Sequence, residues 1–143
     1  MANASLIALR IVLVLAGMSV LVTGINVAFG GIRTLGWQGE RLFFDVTNET
    51  AFLAQDSHVR FLGGLWLGVG LYFIVAATNL AKHRNTLCVV LALVFLGGLA
   101  RLTQVHPATT FGPRILGSFL AELVGMPILY FWLWRAVPKN RTV

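Results

Sequence analysis

Apolar residues in this chain fall into four long runs rather than into alternating or one-sided stretches. Residues 11–32 and 61–81 carry no charged side chain at all. A third run extends over 86–105, with Arg101 near its end, and a fourth over 115–134, interrupted by Glu122. A helix crosses the hydrocarbon of a bilayer in about 20 residues, at about 1.5 Å of rise each. Each run is therefore predicted to be a membrane span, with bounds of about 11–32, 60–81, 86–105 and 115–134. The predicted fold is all-α, an integral membrane four-helix bundle forming one domain over residues 1–143. One interfacial loop or helix is expected between helices one and two. The first run exceeds the apolar core of a secretory signal, about 7–15 residues, so it is expected to stay as an anchor.

Composition narrows the class further. The 143 residues are 57% hydrophobic and 11% charged, whereas soluble domains carry roughly 25% charged residues. A water-facing surface could not be covered, and an apolar-poor disordered chain is excluded by the same figures. The net charge of +6 sits between the apolar runs rather than along one helix face, so nucleic acid is not an expected partner. Cys88 is the single cysteine. It rules out an intrachain disulfide, and with it the paired-thiol relay of four-helix oxidoreductases.

An even number of spans puts both termini on one side. That side would hold Arg10, Lys82, Arg84, Arg135, Lys139 and Arg141, against Arg33, Arg41, Arg60, Arg101, Arg114 and all five acids on the other. Short basic loops weigh most in setting orientation, and residues 82–86 read as such a turn. The expectation is a bacterial inner-membrane protein with cytoplasmic N- and C-termini, in contact with membrane lipids. Tyr130, Trp132 and Trp134 would then form the inner aromatic belt, with Trp37, Phe43 and Phe44 near the outer interface. Within the loop at 33–60, Leu42, Phe43, Phe44 and Val46 suggest a segment lying on the membrane surface. Thr47 or Asn48 is the expected helix cap, from which helix could run unbroken into the second span.

Polar residues inside the spans are the candidate chemistry. Ser19, Thr23 and Asn26 fall at i, i+4 and i+7 on one helix face. Asn26 and Glu122 lie about 9–10 Å below the outer ends of their spans, and Arg101 about 6 Å. Trp66 falls at a depth similar to that of Asn26, with Asp56, His58 and Arg60 around its outer mouth. The pentapeptide Phe-Leu-Gly-Gly-Leu occurs twice, at 61–65 and 95–99, on helices that run in opposite directions. With the Gly64/Gly68 spacing and the stripe Gly117, Ala121, Gly125, it predicts close helix contacts.

Two readings of this cluster stay open. Asp56 precedes Arg60 by four residues, the favourable order for a helical ion pair, and Arg101 could reach Glu122 across two helices, so the charges could be structural. Alternatively, Asn26, Arg60, Trp66, Arg101 and Glu122 form an outer-facing polar pocket for a small amphipathic or lipid-like ligand, since arginine's planar fork suits carboxylate and phosphate. Glu122, His58 and Asp56 are the candidates for any catalysis, with Glu122 and His58 as an acid–base pair in an isomerase or hydrolase. A further alternative is an accessory or assembly subunit that packs on a larger membrane partner or on copies of itself through its glycine faces. No cofactor and no metal are expected, because Glu-x-x-His and Cys/His ligand spacings are missing. Pro127 is expected to kink the fourth helix below Glu122.

Three blocks carry a family resemblance: residues 56–66, from Asp56 through Arg60 and the Gly63-Gly64 pair to Trp66; residues 95–102, with Gly97, Gly98 and Arg101; and residues 122–127, from Glu122 to Pro127. With these, nearly the whole chain resembles domain-of-unknown-function family 4345, a group of small bacterial four-helix membrane proteins. The resemblance implies the four-helix inner-membrane fold and brings no activity with it.

Overall fold

A computed structural model of the chain describes residues 2–34, 45–113 and 115–138. Its elements are α1 (Ala2–Gly30), a 3₁₀ turn (Gly31–Thr34), α2 (Glu49–Thr78), α3 (Leu80–Ala100), a 3₁₀ turn (Arg101–Thr103), the short α4 (Pro107–Thr110), α5 (Leu116–Leu120), a π-helical turn (Ala121–Gly125) and α6 (Met126–Ala136). Among the described residues there is no strand. Four helices are long and apolar enough to cross a membrane: Ala4–Arg33, Glu49–Thr78, Leu80–Thr103 and Leu116–Ala136. Large apolar side chains on all four, among them Leu15, Phe61, Leu93 and Phe131, are more than half exposed. In water such surface would cost about 25 cal/mol per Å², and among lipid tails it costs nothing. This is a multi-pass membrane protein of the all-α class.

Helix ends follow from local chemistry. Asn48 caps α2, its side-chain oxygen accepting from the Ala51 N–H at 3.0 Å, and the helix continues from Glu49 through the second span. The connection between the second and third spans differs from expectation. α2 stops at Thr78, and Asn79, at φ −145°, accepts the Lys82 N–H at 3.1 Å to cap α3. Lys82, His83 and Arg84 are thus helical rather than a turn, and the predicted span to residue 81 runs past the real break. An asparagine inside an apolar run looks like one polar interruption, whereas its side chain here replaces a missing backbone partner. Val46 is exposed, while Trp37, Arg41, Leu42, Phe43, Phe44, Arg114, Lys139 and Arg141 lie outside the residues described, or the side chains described, here.

The chain divides into two compact units, Leu13–Val75 and Met1–Val12 with Ala76–Val143. In the first, α1 and α2 run antiparallel at backbone contact. Gly17, Gly24 and Gly31 recur every seven residues on α1 and its end, and Gly63 and Gly70 do so on α2. A Cβ on Gly24 would strike the backbone of Leu67, one on Gly63 the backbone of Ala28, and one on Gly70 the Leu21 nitrogen at 2.6 Å. The seven-residue period keeps one glycine-lined seam facing its partner along the helix. Gly64 and Gly68, the pair expected to make the close contact, would meet nothing within 4 Å, and the same holds for Gly97 and Gly117.

In the second unit the core is Leu9, Leu80, Leu87, Leu91, Val94, Phe119, Met126, Leu129, Leu133 and Val137. Positions 87, 91, 94 and 98 form the buried stripe of α3, and 126, 129 and 133 that of α6. Trp132 donates its indole N–H to Ser5 Oγ at 2.9 Å, so the residue assigned to an aromatic belt is tied to the N-terminal turn of α1. Trp134, two residues on, is 58% exposed.

Candidate functional site

The polar residues singled out in the sequence belong to the two units separately. Asn26, Asp56, His58, Arg60 and Trp66 lie in Leu13–Val75, and Arg101 and Glu122 in the unit containing Ala76–Val143.

In the first unit, Asp56 and Arg60 close the end of α1. Gly31 takes φ +64°, the left-handed conformation that ends helices and that glycine adopts without a Cβ penalty. The Ile32 N–H then donates to Asp56 Oδ1 at 2.7 Å. Arg60 donates Nε to Asp56 Oδ2 and Nη1 to the Phe29 carbonyl, both at 2.5 Å, and Nη2 to the Gly30 carbonyl at 3.3 Å. Those carbonyls are among the acceptors a helix leaves unpaired at its C-terminus, where the dipole also favours a cation. Arg60 thus commits three guanidinium nitrogens to α1. Arg33 stacks over the Phe52 ring at 5.9 Å, adding a second cation at this helix end. Thr23 donates its hydroxyl to the Ser19 carbonyl at 2.9 Å, so part of the polar stripe on α1 satisfies its own helix. His58 is exposed, and Asn26 and Trp66 are half-buried.

In the second unit, Arg101 and Glu122 form a bidentate pair, with Nε to Oε2 at 2.7 Å and Nη2 to Oε1 at 3.0 Å. Glu122 is buried, while the Arg101 side chain is 45% exposed. Two sequence features set this pair. Pro127 has no N–H to give to the carbonyl four residues earlier, and the neighbouring Met126 N–H bonds the Ala121 carbonyl instead, five residues back. The resulting π turn carries Glu122. Such turns often occur at functional positions. Gly98 on α3 faces the same spot, where a Cβ would come within 2.8 Å of Glu122 Cβ.

Arg101 also lines a cleft of about 380 Å³ with Ala100, Thr103, Gln104, His106, Thr109, Thr110, Ile115 and Phe119. Its wall is shaped by α4, where the His106 N–H donates to Thr110 Oγ1 at 3.2 Å, and by the edge-to-face pair Phe111–Phe119 at 6.2 Å. Among the described residues no three His, Cys, Asp or Glu side chains are grouped to hold a metal ion.

A site that sequence reasoning missed is Arg84. It is buried at 9% exposure and donates Nε to the Val137 carbonyl at 2.6 Å. It holds the end of α6 as Arg60 holds the end of α1. Its place in a basic tripeptide made it look like a loop charge; the available signal was that, with Asn79 as cap, Arg84 falls inside a helix three residues before the buried Leu87.

Neither a curated protein nor a solved structure matches the chain. A family profile described as a domain of unknown function, DUF4345, matches residues 8–133, and with nearly the whole chain covered the protein belongs to that family.

Proposed function

We propose that this chain is a bacterial inner-membrane protein, with both termini cytoplasmic, that binds a small amphipathic molecule by its polar head at the Arg101 cleft. The observation that carries the reading is the half-exposed Arg101 guanidinium, fixed by buried Glu122 and lining that cleft. The bidentate pair uses two of the five guanidinium N–H groups and leaves three outside it. Thr103, Gln104, His106 and Thr109 add donors and acceptors around the same space, which suits a phosphate, carboxylate or hydroxylated head. The volume lies within the range of small-molecule sites, about 300–1,000 Å³. An apolar tail has Ile115 and Phe119 in the wall and exposed Leu102 and Leu120 nearby in sequence. Binding is favoured over catalysis because both Glu122 oxygens already accept from Arg101.

Native mass spectrometry of the protein in mild detergent tests this, comparing wild type with Thr109→Trp, which fills the cleft from an exposed position. A discrete bound mass in wild type that disappears in the variant is the expected result. A bare mass in both, or the same adduct in both, overturns it. The orientation is tested by a reporter fused after Val143, which should be active only in the cytoplasm; periplasmic activity would invert the assignment.

A further inference from the structure

The second unit has an uneven distribution of charge. Glu122 is the only acid in residues 1–12 and 76–143, and it is spent on Arg101. At the opposite end of α3, Lys82, His83 and Arg84 occupy the first turns, and the Arg84–Val137 bond brings that end to the close of α6, where Arg135 sits in the last turn. Arg84 is nine-tenths buried, and its printed partners, the Val137 carbonyl and the Asn85 side chain, are both uncharged. A helix C-terminus offers a cation only about half an elementary charge, so net positive charge remains at this end.

Two apolar tracks lead to it. On α3, Lys82 stands seven residues before Val89, which continues to Leu93 and Leu96 on the same face, all more than half exposed. On α6, Ile128 and Phe131 are exposed and lead to Trp134 and Arg135. Each track is a hydrocarbon-lined stripe that ends in a cation, with an exposed tryptophan at the depth where such rings meet lipid head groups.

We propose that the α3/α6 end holds an anionic phospholipid, its phosphate between Lys82 and Arg135 over the Arg84–Val137 contact and its acyl chains along the two stripes. The site is separate from the Arg101 cleft and does not depend on it. The test is protein taken from vesicles of equal phosphatidylglycerol and phosphatidylcholine into mild detergent, with retained lipid counted by native mass spectrometry. The variants are Lys82→Gln/Arg135→Gln, both exposed positions, and Thr109→Trp. Each basic group near an anionic surface contributes about fivefold, so the double variant should lose phosphatidylglycerol preference by up to about thirty-fold at low salt. Thr109→Trp should keep that preference.

Equal retention of the two lipids by wild type, or undiminished preference in the double variant, overturns the proposal. So does loss of preference in Thr109→Trp, which would move the lipid to the cleft. Competition by millimolar inorganic phosphate would also overturn it, because the site would then take a free anion. Circular dichroism of each variant separates a lost site from a lost fold, and Lys82→Arg/Arg135→Lys, which keeps both charges, should retain the preference.

Discussion

Replacing Gly70 by alanine tests the antiparallel glycine seam directly. The added Cβ would lie 2.6 Å from the Leu21 nitrogen, 2.9 Å from the Gly17 carbonyl oxygen and 2.9 Å from Leu21 Cα, all backbone atoms that no rotamer change can move away. Ordinary contact begins at 3.4 Å, so α1 and α2 must separate locally by about 0.8 Å. Overpacking a close contact costs about 1–3 kcal/mol, and moving two backbones rather than a side chain puts Gly70→Ala toward the upper part of that range. Gly64→Ala, six residues earlier on the same helix, would meet nothing within 4 Å and should gain roughly 0.5–1 kcal/mol from better helix propensity. Unfolding by sodium dodecyl sulfate titrated into mild detergent, followed by circular dichroism, measures both. The expected order of midpoints is Gly64→Ala at or above wild type, with Gly70→Ala well below. Equal midpoints for Gly70→Ala and wild type, or equal losses for the two variants, would refute the seam.

Arg101→Ala strands the buried Glu122 carboxylate and should cost about 2–3 kcal/mol in the same titration; Arg101→Ala/Glu122→Gln should recover part of it, and a double variant as unstable as the single one would mean the pair is not what holds that contact. Gly31→Ala places a Cβ against the Asp56 carboxylate in a left-handed conformation, and should lose at least about 1 kcal/mol. Faster amide exchange at Phe29–Ile32 would mark that loss, and unchanged exchange would count against the clasp. Trp132→Phe and Ser5→Ala should each cost about 1 kcal/mol for the one hydrogen bond they share. Their double variant should cost little more than either alone, whereas additive losses would mean the bond contributes nothing.

Much of this architecture can be read from the chain because lipid imposes simple demands. Four charge-poor runs became four helices of spanning length, and Asn48 became the cap from which α2 continues into the membrane. The pairs Asp56–Arg60 and Arg101–Glu122 follow from helical spacing and from the cost of leaving a membrane charge alone. What stays hidden depends on backbone groups rather than on residue type. Arg60 and Arg84 act on carbonyls of helices distant in sequence, and a carbonyl has no letter in the sequence. The glycine seam was present as a seven-residue period, yet adjacent pairs such as Gly63-Gly64 drew attention to Gly64, which is open, rather than to Gly63, which is closed. The π turn leaves no trace in hydropathy, because one extra residue barely alters the composition of a run.

That extra residue has a consequence for how this family tolerates insertions and deletions. A π turn is the mark of one residue added to an α-helix, and each residue turns the chain by about 100° around the helix axis. Removing one residue from Ala121–Gly125 would leave an unbroken helix of much the same length and apolarity. Everything after it would be rotated by about a quarter turn or more, swinging Leu129 and Leu133 out of the core and Trp132 away from Ser5. Members that differ by a single gap at this point would therefore share every predicted span and still present different faces of their last helix to α3.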